Sequence, residues 1–365
     1  MINPDRISNP TGGLGTFLRE VYKRIKDEVD FYVLGYPDEN SGIENYIGVV
    51  NMTGSGQHGG VNGLFAHAIY MRHALEFPKP DIVHATDWTV YLACVLLAEY
   101  WEVPLVVTMQ GSCTVGVKQG IYYCHDVKSV DGLYIQAAHE ALEKSGLSAA
   151  DKIIGASEGY MKYFPEYKDK TTVIPMGVET TTPASVPELP GDRKYKAAYM
   201  GRLALIKGVD AILNTDFPEE IDLIIVGSEE GADATCLELL KNKNSLSYYH
   251  LPRMYGQELI DFMAAVDIVI MPSRHEPFGA TALDTLAAQT ILISSRVDGL
   301  GDYLTDYNSI LTDVTKEGIE KALAEFLDMS EDQRKAMGLN GFITAQSYTW
   351  EKSAQMHLEL YKSLV

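Results

Sequence analysis

Short apolar runs alternate with helix-patterned segments along nearly the whole chain, and this alternation restricts the fold more than any single motif. In the first half the runs stand at Phe31 to Leu34, Asp81 to His84, Pro104 to Met109, Lys152 to Ala156 and Thr171 to Pro175, after a stub at Met1 to Asn3. Strands separated by helices cannot pair as tight hairpins, so they predict a mostly parallel sheet covered by helices. Between Gly177 and Arg193 the periodicity stops in a Thr- and Pro-rich segment that reads as an interdomain linker. The pattern restarts at Lys196 to Met200 and continues at Ile221 to Val226, Ser247 to Leu251, Asp267 to Met271 and Ile291 to Ser294. The expected architecture is α/β, with two Rossmann-like, doubly wound parallel-sheet domains facing a cleft, over residues 1–185 and 191–349. Trp350, Ala354, Leu358, Tyr361 and Leu364 share one helical face, so a last amphipathic helix over 350–365 needs an apolar partner surface.

Composition narrows the function classes. At 365 residues the chain is long enough for two cores. A formal charge of -20 with no basic stripe argues against nucleic acid and against docking on an anionic membrane. No apolar run reaches the length of a membrane span, and MINPDRISNP lacks the apolar core of a signal peptide, so a cytoplasmic protein is expected. The shortness of the first strand also leaves room for a few upstream residues. Cys94, Cys113, Cys124 and Cys236 are scattered, and the Cys124-His125 pair lacks a second close pair, so no metal site is expected.

The chemistry concentrates between Pro272 and Asp302, where a strand runs into an acidic, glycine-bearing turn, a helix from about Thr281, and a second strand and glycine turn. Unpaired N–H groups and the dipole at such a helix start favour an anion, so a phosphate-bearing ligand is the natural expectation. On their own, Glu276 and Asp284 are equally compatible with a helix-start acid and a surface acid. Near the start, Gly12-Gly13-Leu14-Gly15 leads into an amphipathic helix carrying Phe17, Leu18, Val21, Tyr22 and Ile25. Glycines there permit close approach of a ligand, although a plain turn is the alternative. The dinucleotide fingerprint is not met, because Leu18 stands where its third glycine belongs.

Six motifs occur in a specific order: Gly12 to Gly15, Asp81-Ile-Val-His84-Ala-Thr-Asp87-Trp88, Val173 to Val178, Gly201-Arg202 with Lys207-Gly208, Pro272 to Gly279, and Gly299-Leu300-Gly301-Asp302. Together they resemble the retaining glycosyltransferases of the two-Rossmann (GT-B) fold, families 4 and 5, and within them the glycogen and starch synthase-like group. The terminal YTWEKSAQMHLELYKSL is similar to the helix that crosses back to the N-terminal domain in that family. The resemblance implies transfer of a sugar, with glucose expected, from a UDP- or ADP-linked donor to a soluble glycan, with no cofactor and no metal. Departure of a diphosphate then needs cations and N–H dipoles, the roles implied for Arg202 and Lys207. Glu276 matches the first acid of the family's E-x7-E motif, which contacts the donor sugar, and Asp284 stands at the second, which bonds the ribose. Gly13, Leu14, Gly15, Arg253, Met254, Phe278, Gly279, Ala280 and Thr281 are the accompanying donor- or nucleotide-binding candidates, and Asp87 and Gln110 complete the catalytic set.

Several positions depart from the family pattern. Asp284 is one methylene shorter than the usual glutamate, Gln110 stands where the synthases end a strand in histidine, Thr86 replaces a frequent second histidine, and Thr11 lies where bacterial synthases have a lysine. His84 fits a buried core histidine as well as a site residue. The loop Gly111 to Asp131, with Tyr122 and Tyr123, could face an acceptor or cover a core. A sugar-nucleotide hydrolase or epimerase and a non-catalytic glycan- or nucleotide-binding protein are the rival expectations. A phosphorylase would require lysine-bound pyridoxal phosphate.

Overall fold

The computed structural model describes residues 1–8, 13–49, 61–112, 114–115, 130–179, 183–242 and 248–365, without side chains at 61–66 and 130–135. The chain divides into two compact units, Met1–Met176 together with Trp350–Val365, and Gly177–Thr349. The first division falls ahead of the boundary expected at 185. The start of the Thr- and Pro-rich segment is tied to the second unit by Val178, which pairs with Thr349, and by the Ala184 amide, which donates to Asp261 at 2.8 Å.

The first unit contains β1 (Ile2–Asn3), β2 (Tyr32–Gly35), β3 (Asn45–Gly48), β4 (Val83–Ala85), β5 (Leu105–Met109), β6 (Lys152–Gly155) and β7 (Thr171–Val173). They form one sheet in the order β3-β2-β1-β4-β5-β6-β7, with every neighbouring pair parallel. The second contains β8 (Tyr195–Met200), β9 (Ile221–Val226), β10 (Tyr249–Leu251), β11 (Ile268–Met271), β12 (Ile291–Ser294) and β13 (Ile310–Leu311). Its order is β10-β9-β8-β11-β12-β13, again all parallel. The apolar runs become central strands because helices cover them: every residue of β5, β9, β11 and β12 is buried. The short strands β3 and β13 escaped the sequence pattern; NYIG stays partly exposed, and two residues carry no periodicity.

The helix Trp350–Lys362 belongs to the first unit, as the crossing-back motif implied. Trp350, Ala354, Leu358 and Tyr361, all expected on one face, are buried. They meet the helix Gly13–Ile25, and ion pairs from Arg24 to Glu351 (2.8 Å) and from Lys362 to Glu28 (2.6 Å) flank that contact. His84 is a core residue here. Its ring nitrogens lie 2.8 Å from the Tyr361 hydroxyl and 2.7 Å from the Thr108 hydroxyl, tying β4 and β5 to the last helix.

Burial holds two imidazoles at this interface low, His84 well below its ordinary value and His357 at about 4. In the unfolded chain both take a proton near pH 6.5, whereas the folded unit keeps them neutral. The unfolded state therefore binds more protons, and stability falls as pH drops from about 6.5 towards 4. His357 alone accounts for about 3 kcal/mol of that loss. Urea denaturation at pH 7 and pH 4.5 is expected to show a smaller loss for His357→Phe than for the unsubstituted chain. Identical losses would mean that His357 titrates normally when folded.

Candidate active site

In doubly wound sheets the ligand-binding loops leave the carboxyl ends of strands where the strand order reverses. In the second unit that point lies between β8 and β11. From β8 the chain passes through Gly201 and Arg202 to a short turn, Leu205–Lys207; from β11 it enters the loop 272–279. Arg274 locks the two loops together. Its amide donates to the Ile206 carbonyl (2.8 Å), and its guanidinium grips the Asp210 carboxylate with two bonds (2.6 and 2.7 Å) and also reaches the Leu205 carbonyl. A partly exposed fork of this kind is worth about 1 kcal/mol, but its geometry fixes the turn. Asp233 steadies the same turn by accepting from the Leu205 amide at 2.7 Å.

The consequence is a contact between two residues 69 apart: Lys207 Nζ donates to Glu276 Oε2, which also lies 3.4 Å from the Ser273 hydroxyl. The Lys207 side chain is 24% exposed and that of Glu276 is 13% exposed, so the pair is partly desolvated yet reachable by a ligand. Arg202 is exposed at the end of β8, and its carbonyl accepts the Tyr199 hydroxyl at 2.5 Å. The charges of Arg202 and Glu276 both act on that buried hydroxyl.

The adjoining helix, Ala280–Ala287, starts from Gly279 at φ 93° with no side chain capping its first turn, which leaves amides suited to a phosphate. Gly279 is required there. A Cβ would lie 2.4 Å from Leu300 and 2.8 Å from the Tyr303 hydroxyl, which is itself within hydrogen-bond distance of the Phe278 and Gly279 carbonyls. The Phe278 ring is buried against Tyr303 and Tyr348, so only its main chain is left for a ligand. Ala280, Thr281 and Asp284 are partly exposed, and desolvation pushes the Asp284 carboxyl up to about 7. Arg253 and Met254 follow β10, two strands from β8; the Arg253 guanidinium lies over the Tyr255 ring at 5.2 Å.

In the first unit the strand order reverses between β1 and β4. Gly13, Leu14 and Gly15 open the helix Gly13–Ile25, held by Asn3 Nδ2 donating to the Leu14 carbonyl (3.2 Å) and by the Gly15 amide donating to Asp5 (3.1 Å). A Cβ at Gly13 would stand 3.4 Å from Gln110 Oε1, so the end of β5 and the helix start adjoin. Asp87 caps the turn Trp88–Val90 by accepting from the Thr89 amide (3.0 Å) and hydroxyl (2.7 Å). Thr86 is buried, its hydroxyl donating to the Ile2 carbonyl at 3.1 Å. Tyr122 and Tyr123, with Thr11 and Gly12, lie outside the described residues. Sequence reasoning passed over Asp210, Asp233, Arg274 and Asp298. Only the place of Arg274 inside the Pro272 to Gly279 motif and of Asp298 directly before Gly299 hinted at them.

Two family models match the chain, the Glycosyl transferase 4-like domain at residues 12–177 and Glycosyl transferases group 1 at residues 184–342. An uncharacterized glycosyltransferase of Methanocaldococcus jannaschii is 25% identical over 97% of this chain and 95% of its own length. A glycogen synthase of Mycobacterium tuberculosis is 26% identical over 78% of this chain and 69% of its own length. Among solved structures, Anabaena HepE in complex with UDP-glucose superimposes with a TM-score of 0.73 at 16% identity, covering 100% of this chain and 99% of that one. Among the described residues no helix is long and apolar enough to cross a membrane. With both units matched by glycosyltransferase models and built as all-parallel α/β sheets, the chain belongs to the GT-B glycosyltransferases.

Proposed function

We propose that the protein is a retaining, metal-independent hexosyltransferase that moves glucose from a UDP- or ADP-linked donor to a soluble glycan. The observation carrying this reading is the Lys207–Glu276 contact beside the uncapped start of the helix Ala280–Ala287. In this reading Lys207, Arg202 and the first-turn amides take the negative charge that develops on the departing diphosphate, the task a metal performs elsewhere. Glu276 holds sugar hydroxyls and offsets positive charge at the anomeric carbon. The C1–O bond to phosphate breaks, the acceptor oxygen bonds C1, and the acceptor proton leaves on the diphosphate. Gln110 and Asp87 are the first unit's catalytic candidates, and Gly13, Leu14 and Gly15 its candidates for holding the donor. The glycogen synthase relative and the UDP-glucose held by HepE support this choice of substrates.

The test is a thermal-shift panel of UDP-, ADP- and GDP-sugars, followed by product analysis with labelled donor, with and without glycan primers. Primer-dependent elongation with retained anomeric configuration is the expected result. Free sugar alone would indicate a hydrolase, and saturable binding with no turnover would indicate a binding protein.

Asp284 adds a pH dependence. With its carboxyl at about 7, only the ionised form offers both oxygens to ribose hydroxyls, so binding pulls a proton off. Affinity for UDP-glucose is expected to rise about tenfold from pH 6 to pH 8. The diphosphate of a sugar nucleotide has no ionisation in that window, so the trend reports the protein. Calorimetric titration of Asp284→Asn should flatten it, and an unchanged slope would remove Asp284 from the nucleotide site.

A further inference from the structure

Glu276 is held at its backbone as well as at its side chain, and by consecutive residues of one turn. Its amide donates to Asp298 Oδ2 at 2.8 Å, and its carbonyl accepts from the Gly299 amide at 3.1 Å. The same Asp298 oxygen lies 2.5 Å from Nδ1 of His275, and both side chains are sealed off, His275 at 0% and Asp298 at 4% exposure. Asp298 adopts φ 44°, a left-handed conformation that aspartate tolerates better than most residues but still adopts at a cost. Glycine would take that conformation freely. What the aspartate supplies in return is its carboxylate, which accepts from the Glu276 amide and lies against the His275 ring.

We propose that Asp298 is the positioning residue for Glu276: its left-handed backbone turns a buried carboxylate onto the Glu276 amide, while Gly299 secures the carbonyl. Lys207 and Ser273 approach the side chain of Glu276 from the other end, so the carboxylate is fixed before any ligand arrives. This rests on the assignment of Glu276 to the donor sugar. Positioning of this kind acts on turnover, since an acid displaced by a fraction of an ångström loses contacts made only in the transition state. Binding of the nucleotide diphosphate, which Glu276 influences only through Lys207, changes much less.

The test compares Asp298→Gly, Asp298→Asn and Glu276→Gln by melting temperature, UDP affinity, and kcat with UDP-glucose and ADP-glucose. Asp298→Gly is expected to lower kcat at least about tenfold with UDP affinity within about threefold. Asparagine keeps an acceptor oxygen and tolerates the same φ, so Asp298→Asn should recover most of the loss. Parallel losses of kcat, UDP affinity and melting temperature in Asp298→Gly, unrelieved by asparagine, would reduce Asp298 to a structural role and overturn the proposal. So would a wild-type rate in Asp298→Gly while Glu276→Gln is impaired. If Glu276→Gln itself turns over normally, the assignment of Glu276 falls, and the role of Asp298 falls with it.

Discussion

Glu276→Ala is expected to slow sugar transfer about a hundredfold or more while tightening the binding of free UDP, and the opposite signs carry the argument. In the unliganded protein Glu276 and Lys207 neutralise one another across a partly desolvated contact. Removing the carboxylate releases Lys207 for the diphosphate, so UDP affinity should rise about two- to fivefold. The transition state loses its sugar contacts at the same time, so kcat falls although the product-like ligand is held better. Glu276→Gln keeps hydrogen-bonding reach without charge and should lie between the two in rate. Steady-state kinetics beside calorimetric titration with UDP separate the outcomes. Weaker UDP binding in a folded Glu276→Ala protein would show that Lys207 does not serve the diphosphate, and unchanged turnover would remove Glu276 from the reaction.

The same contact shows what could be read from sequence and what could not. Strands such as β9 (IDLIIV) and β11 (IVIM) are legible because short runs dominated by Ile, Val and Leu between helical segments have one stable use, a parallel sheet covered on both faces. Lys207 and Glu276 were each legible as members of motifs. Their contact follows from the β8-β11 adjacency, a matter of strand order that no local pattern encodes. The bidentate hold of Arg274 on Asp210 was illegible for the same reason: the partners are 64 residues apart and neither looks unusual where it stands. Burial of the Phe278 ring was missed for a different reason. An aromatic in a ligand-binding motif reads as a ligand contact until Tyr303 and Tyr348 are seen packed on it. His84 was open on sequence, and its fate depended on Tyr361, a residue from the far end of the chain.

Gly208→Ala should be the most damaging single-methyl change in the second unit. Gly208 follows Lys207 directly at φ 71°, and a Cβ there would stand 2.0 Å from the Pro272 carbonyl oxygen and 2.9 Å from its carbon. The obstacle is backbone, continuous with β11, so the turn rather than a side chain has to move. Left-handed strain and overpacking together are expected to cost about 2–4 kcal/mol. Gly231 provides the control: it has a similar φ of 74°, with nothing within 4 Å of the added methyl, so Gly231→Ala carries the conformational strain alone, about 1 kcal/mol. Because the displaced turn carries Lys207, Gly208→Ala should also weaken UDP binding about tenfold or more, which Gly231→Ala should not do. Urea denaturation and UDP titration of the two variants give both comparisons. Equal stability losses would mean that the turn relaxes away from Pro272 at no cost, and intact UDP binding in Gly208→Ala would mean that the diphosphate does not depend on where this turn holds Lys207.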